Sequence, residues 1–115
     1  MRTSCVAIFL VLAGFAPVRG APCQESTPYL QGLCQYRQKA LTEAESEFSV
    51  TVKLALESPE TIKALYFRAR TRMQLKRWSE ASADLIRIYA MDPAFFQEWN
   101  GDFLLGECRK MLGKD

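Results

Sequence analysis

The sequence contains no histidine among its 115 residues. Catalytic serine and cysteine nucleophiles usually rely on a neighbouring histidine base, so these arrangements are excluded. The common zinc clusters need histidine or several paired cysteines, and no Cys-x-x-Cys motif is present. A glycine-rich phosphate loop and a recognisable pair of catalytic carboxylates are also missing. We therefore expect no enzymatic activity, no metal site and no other cofactor.

A strand pattern is also missing, because polar and apolar residues alternate nowhere over more than a few positions. Beyond residue 26, apolar residues instead recur at intervals of three and four, which is the spacing of amphipathic helices. The sequence therefore predicts an all-α fold. The clearest apolar stripe comprises Ile62, Leu65, Tyr66, Ala69 and Met73.

Residues 1–20 have the three parts of a secretory signal peptide: the basic MRTS, the apolar CVAIFLVLAGFA and a small residue at the exit. The apolar run is shorter than the roughly 20 residues that a membrane-spanning helix needs. We expect cleavage after Gly20, since cleavage after Ala16 or Ala21 would leave a proline at the new N-terminus. This predicts the secretory pathway or secretion, with no membrane span once the leader is removed. The alternative is an uncleaved, leader-like segment on a cytoplasmic protein.

The excess of basic residues depends on the leader. The whole chain has a formal charge of +2, but two of its 15 basic residues, Arg2 and Arg19, lie in the leader, leaving 13 against 13 acidic residues. Nucleic-acid-binding domains more often carry a basic excess over the whole domain. The sequence therefore argues against nucleic-acid binding.

Three of the four cysteines, Cys23, Cys34 and Cys108, lie beyond the leader. An odd number permits at most one internal disulfide and leaves a thiol either free or paired with another chain, so a dimer stays open. Cys23 and Cys34 are close in sequence, and we expect them to pair if the compartment is oxidising.

Capping residues and prolines predict where the helices begin. The predicted starts are Pro28, Thr42 (with Glu45 completing a capping box), Pro59, Ser79 and the segment after Pro93. These boundaries divide the chain into a leader (1–20), an N-terminal linker (21–27), a helix pair (28–58), a second helix pair (59–93) and a C-terminal capping helix (94–112).

Pro59 and Pro93 stand 34 residues apart, and a 34-residue unit of two helices is typical of the tetratricopeptide repeat. Within that unit, Ala69 and Ala81 supply the small side chains that such helices need where they cross. The segment IKALYFRARTRMQLKRWSEASADLIRIYAMDP, and in it KALY, RA and EASADL, resembles the last repeat of immunophilin-type co-chaperones, particularly the aryl-hydrocarbon-receptor-interacting-protein class. The resemblance covers about a third of the chain and is fainter over 28–58, which reads as a degenerate repeat.

The resemblance implies an α-solenoid of two antiparallel helix pairs with a C-terminal cap, acting as a non-enzymatic protein-interaction module. In the related co-chaperones, a lysine matching Lys63 and an arginine one turn later hold the terminal carboxylates of heat-shock chaperone tails. Phe67 stands at the second position here, so the clamp is incomplete and we expect at most weak binding of such tails. The resemblance places the partner-binding groove at Lys63, Tyr66, Phe67, Arg70, Met73 and Gln74.

The stretch 62–78 is read as one helix, with six basic residues divided by a buried seam. Lys63, Arg70 and Arg77 fall on one side of the seam. We interpret the basic residues on the other side, Arg68, Arg72 and Lys76, as a solvated rim. Phe67 would contact either an apolar peptide or the last helix of the chain itself. A small secreted helical ligand or effector, held by a disulfide, is the alternative function.

Overall fold

The computed structural model describes residues 21–54 and 58–113, and the predicted signal peptide lies outside these ranges. All regular secondary structure in the described residues is helical, so the chain is all-α, as the apolar spacing predicted. The helices are α1 (Pro28–Arg37), α2 (Leu41–Leu54), α3 (Pro59–Gln74), α4 (Trp78–Met91), α5 (Pro93–Glu98) and α6 (Gly101–Met111).

Three helices begin with a capped proline, where the sequence places one. The Thr27 hydroxyl accepts a hydrogen bond from the Leu30 amide before α1. The Ser58 hydroxyl accepts one from the Thr61 amide before α3. The Asp92 carboxylate does the same for the Phe95 amide before α5. In each case the following proline has no amide hydrogen to satisfy, which suits the first helical position.

The predicted starts of α2 and α4 are displaced. Helix α2 begins at Leu41, one residue before the expected cap Thr42, and the capping-box residue Glu45 binds arginines instead. Helix α4 begins at Trp78, before Ser79, with no side-chain cap.

The stretch 62–78 is not one helix, because α3 ends at Gln74. Lys76 adopts a left-handed backbone conformation with φ of 66°. The Arg77 amide then donates to the Arg72 carbonyl at 2.7 Å, which closes a tight turn into α4. Lys39 forms the same turn between α1 and α2, with φ of 65° and an Ala40-to-Gln35 hydrogen bond of 2.9 Å.

The prediction of a single capping helix over 94–112 is also wrong. Asn100 has a φ of 61°, which breaks the segment into α5 and α6. Both of these helices pack against α4. Asparagine tolerates the left-handed conformation better than most residues, so Asn100-Gly101 was a break signal present in the sequence.

Each helix packs on the next along the chain, from α1 against α2 through α3 against α4. Three-residue turns reverse the chain within the pairs α1–α2 and α3–α4. Gly32 of α1 lies so close to the Phe48 ring of α2 that an added Cβ would come within 2.7 Å of it. The fully buried core includes Ala44, Phe48, Ala64, Leu65, Ala69, Ala81, Leu85 and Cys108.

Candidate functional site

Helix α3 is covered on two sides, and the two sides differ in chemistry. One side carries the six residues of the predicted groove, next to an aromatic residue of α1, one of α5 and one directly after α5. The other side carries arginines that face acidic residues of α2 and α4. Both sides follow from helical periodicity, but only packing decides what each arginine meets.

Arg70 and Tyr66 form the polar centre of the predicted groove. The Arg70 guanidinium donates a hydrogen bond of 2.9 Å to the Tyr66 hydroxyl, and its Cζ lies 5.7 Å from the centre of the Tyr66 ring. Arg70 is half-buried. Among the described residues, no carboxylate forms an ion pair with it. The predicted groove therefore contains a partly desolvated guanidinium that donates to a hydroxyl rather than to a carboxylate.

The Phe67 ring packs against other aromatic rings of the same chain. It contacts Tyr36 of α1 at 5.6 Å between centroids, Phe48 of α2 at 6.2 Å and Trp99 at 6.4 Å. Such aromatic pairs add to the stabilisation from burial alone. Of the two contacts considered from the sequence, the described residues show the intramolecular one, with the C-terminal aromatic segment.

The remaining groove residues differ in accessibility. Lys63 is exposed, and Met73 is half-buried against the core. The Gln74 side chain donates to the Tyr36 hydroxyl at 3.3 Å. Tyr66 is buried beneath Trp99, with ring centroids 5.0 Å apart. The polar atoms of Lys63, Arg70 and Gln74 thus form the accessible part of the predicted site.

Sequence reasoning missed three aromatic residues of this surface. Tyr36 comes from α1, while Phe95 and Trp99 come from the segment expected to be a cap. Phe95 and Trp99 stack at 4.7 Å, and both reach Tyr66 edge-on. The aromatic run FFQEW was visible in the sequence, but its contact with Tyr66 joins residues about 30 positions apart, which no local pattern predicts.

The opposite side of α3 is a network of ion pairs. Arg68 binds both carboxylate oxygens of Asp84, at 3.0 Å through Nε and at 2.7 Å through the terminal nitrogen, and it also donates to the Ser49 hydroxyl at 3.0 Å. The Arg68 and Asp84 side chains are 13% and 5% exposed. The network therefore ties α2, α3 and α4 together in a largely dry environment.

Arg72 extends the network towards α2. It donates to Glu45 at 2.7 Å and to Asp84 at 3.0 Å, and Arg77 donates to the second oxygen of Glu45. The solvated-rim interpretation of Arg68 and Arg72 is wrong, because both are mostly buried against carboxylates of other helices. Lys76, the third member, is exposed in the turn after α3.

The pKa values of Glu45 and Arg72 are shifted by their mutual contact. Burial by itself would raise the pKa of the Glu45 carboxyl, but hydrogen bonds from Arg72 and Arg77 outweigh burial, and the pKa lies below its ordinary value. Burial would likewise lower the pKa of Arg72, yet its bond to Glu45 and the charge of Asp84 raise it. Contact between Glu45 and Arg72 therefore favours the ionised form of both side chains.

A disulfide joins Cys23 to Cys34, with Cα atoms 5.8 Å apart. It holds the segment 21–27 against α1, where the Gln31 side chain donates to the Cys23 carbonyl at 3.1 Å and the Gln38 side chain to the Ala21 carbonyl at 2.6 Å. The segment expected to be a linker is therefore attached to the first helix along its length.

Cys108 is a free and fully buried thiol. Burial raises its pKa, and the charge of Glu107 adds to the effect. A neutral, enclosed thiol is a poor nucleophile. Pairing of this cysteine with a second chain would require α6 to leave the core.

Comparison with family models, with curated proteins and with solved structures finds no match. In the part of the chain that the structure describes, no group of three or more cysteine, aspartate or glutamate residues is arranged to hold a metal ion. None of the described helices combines the length and the apolar character needed to cross a membrane.

Proposed function

We propose that this chain is a non-enzymatic protein-interaction module of the tetratricopeptide type, which binds an acidic peptide segment through the polar part of the α3 groove. The repeat architecture and the groove are proposed together, because the resemblance of residues 62–93 suggests both. The binding surface comprises Lys63, Arg70 and Gln74, bordered by Tyr36 and Trp99.

Two features support a repeated helix pair. The α1–α2 and α3–α4 turns have the same left-handed lysine and the same closing hydrogen bond. Ala69 and Ala81, the small residues expected at the crossing of α3 and α4, are fully buried. A larger side chain at either position would push the two helix axes apart.

The state of Arg70 is the observation that carries the proposed function. Arg68, Arg72 and Arg77 all bind carboxylates, whereas the half-buried Arg70 donates to the Tyr66 hydroxyl, with the Tyr36 hydroxyl nearby, and forms no ion pair among the described residues. A guanidinium has five donors in a planar fork suited to a carboxylate. Arg70 therefore keeps donors available for an acidic ligand.

Lys63 lies two turns before Arg70 on the same helix face, about 10 Å away along the axis. An extended acidic peptide could place one carboxylate at each end of this interval. The apolar part of the groove is already covered by Phe95 and Trp99, so the ligand should be selected by charge. Since exposed ion pairs contribute about 1 kcal/mol or less each, the affinity should be low.

The test is a titration of the purified protein with the acidic peptide Met-Glu-Glu-Val-Asp, followed by NMR or fluorescence anisotropy. We expect a dissociation constant on the order of 0.1–1 mM, loss of binding in Arg70→Ala and partial retention in Arg70→Lys. Arg87→Ala, which removes an exposed arginine of α4, is the matched control and should bind normally. Equal effects of Arg70→Ala and Arg87→Ala would contradict the proposed site.

The second candidate function is a small secreted helical ligand or effector. The Cys23–Cys34 disulfide favours it, because disulfides persist mainly in oxidising compartments. In this case the described surface would meet a receptor outside the cell.

The position of the N-terminus and the number of free thiols distinguish a secreted protein from a cytoplasmic one. Protein recovered from culture medium should begin at Ala21 and, after denaturation, show one free thiol, that of Cys108. An intact leader with four reduced cysteines would instead indicate a cytoplasmic protein and remove the support for the secreted ligand.

A further inference from the structure

A second surface, distinct from the α3 groove, lies between α4 and α6. It is an open cavity of about 380 Å³. Ile86 and Tyr89 of α4, which form its apolar wall, are 49% and 58% exposed. Tyr89 is held edge-on against the buried Phe96 at 5.2 Å. The α6 side of the cavity is lined by Asp102, Leu105 and Arg109.

The outer face of α6 has an unusual glycine. Gly106 lies in the middle of the helix, where glycine weakens helical structure relative to alanine. An added Cβ at Gly106 would meet nothing within 4 Å, so packing within the chain does not require the glycine. A small residue on an exposed helix face does allow a second helix to approach closely.

The charges on this face have opposite signs at its two ends. Asp102 lies in the first turn of α6, and Arg109 lies in its last turn. Both side chains are exposed, and they share one helix face with Leu105 and Gly106. Among the described residues, neither Asp102 nor Arg109 forms an ion pair.

We propose that this face binds a second copy of the chain, with the two α6 helices antiparallel about a two-fold axis. In that arrangement, the two-fold axis passes between positions 105 and 106 of each helix. Asp102 then lies opposite Arg109 of the second copy. Leu105 lies opposite Gly106 of the second copy, because this pair is centred on the same point of the helix. Each interaction occurs twice, as a two-fold interface requires. Each Leu105 side chain fills the space over the opposing glycine, and Ile86 and Tyr89 flank the contact.

The dimer is held by non-covalent contacts, since Cys108 is buried on the other side of α6. A contact made by one helix and part of another belongs to the small class of interfaces, below about 1,200 Å² in total. The dimer should therefore dissociate reversibly on dilution.

This interface is tested by sedimentation velocity over a wide range of concentrations. The sample is the purified protein expressed from the full-length sequence. The wild type should associate reversibly to a dimer. Asp102→Lys places a lysine opposite Arg109, and Arg109→Glu places a glutamate opposite Asp102, so each variant alone should raise the dissociation constant about tenfold or more. An equimolar mixture of the two variants should dimerise again, because every charge then faces an opposite one.

The recovery in the mixture is specific to an antiparallel, self-complementary contact. Gly106→Gln provides an independent test. Glutamine favours helix, and position 106 faces open space in the isolated chain. In the proposed dimer, the glutamine side chain would collide with Leu105 of the second copy. The variant should remain folded by circular dichroism and remain monomeric. A monomeric wild type, a dimer unaffected by all three variants, or a mixture that stays monomeric would each overturn the proposal; the first result would leave the α4–α6 cavity to a different partner.

Discussion

Arg68 of α3 binds both oxygens of Asp84 of α4, at distances of 3.0 and 2.7 Å, in a place where the two side chains are 13% and 5% exposed. Arg72 reaches one of the same oxygens at 3.0 Å. A buried pair of this kind contributes little over an apolar packing of equal volume, but breaking it leaves an unpaired charge. The stability of the helix stack should therefore be sensitive to the removal of any one member.

The first prediction concerns Asp84. Asp84→Ala should lower the free energy of unfolding by about 3 kcal/mol, because Arg68 would be left buried without its carboxylate. The matched control is Glu80→Ala, which removes an exposed acid from the first turn of the same helix and should cost less than about 1 kcal/mol. Urea denaturation followed by circular dichroism measures both, and similar losses in the two variants would show that the network is not a stabilising element.

The second prediction concerns pH. The pKa of Glu45 is lower in the folded protein than its ordinary value of 4.5. Folding therefore favours the ionised form, so the contribution is complete above pH 4.5 and is lost as the pH falls through the lower, folded-state value. The free energy of unfolding should decrease on acidification below about pH 4.5.

Glu45→Gln, which has no charge to titrate, should be less stable than the wild type at neutral pH and should lose less stability on acidification. Glu47→Gln, on the same helix but without an ion pair among the described residues, should follow the wild-type pH profile. Thermal melting of the three proteins at a series of pH values measures the difference, and identical acid slopes for the wild type and Glu45→Gln would contradict the assignment.

The third prediction concerns the disulfide. Replacing both Cys23 and Cys34 by serine should lower the free energy of unfolding by about 2–3 kcal/mol, since the bond closes a short loop in the unfolded chain. Reducing agent should shift the melting temperature of the wild type downwards to that of the double variant, and it should leave the double variant unchanged. An unshifted wild type would show that the bond does not contribute.

The fourth prediction compares two glycines in opposite surroundings, one tightly packed and one facing open space. Gly32→Ala would bring a methyl group within 2.7 Å of the Phe48 ring, and it should destabilise the protein by about 1–3 kcal/mol through overpacking. Gly106→Ala meets only open space and should stabilise the monomer by up to about 1 kcal/mol. Chemical denaturation at low protein concentration measures both. Opposite signs are expected, and a stabilising Gly32→Ala would mean that α1 packs less closely on α2.

The local pattern of the sequence was enough to predict the all-helical fold and several helix starts, although not the breaks after Gln74 and at Asn100. Thr27-Pro28, Ser58-Pro59 and Asp92-Pro93 act within one turn, so no knowledge of the remaining chain is needed to recognise them. The apolar stripe of α3 was equally visible, and its members Leu65 and Ala69 are fully buried. The six residues of the predicted groove come from the family resemblance, and their spacing of three and four residues puts them on one face of α3.

Tertiary structure alone decided what the arginines do. Arg68, Arg70 and Arg72 have similar positions in a local pattern, yet Arg72 meets Glu45 from 27 residues earlier, and Arg68 meets Asp84 from 16 residues later. Arg70 lies on the opposite side of α3 and donates to a hydroxyl of its own helix. The sequence determines which faces a helix has, because periodicity is a local property; the neighbours that cover each face depend on how the helices pack, which no local pattern encodes.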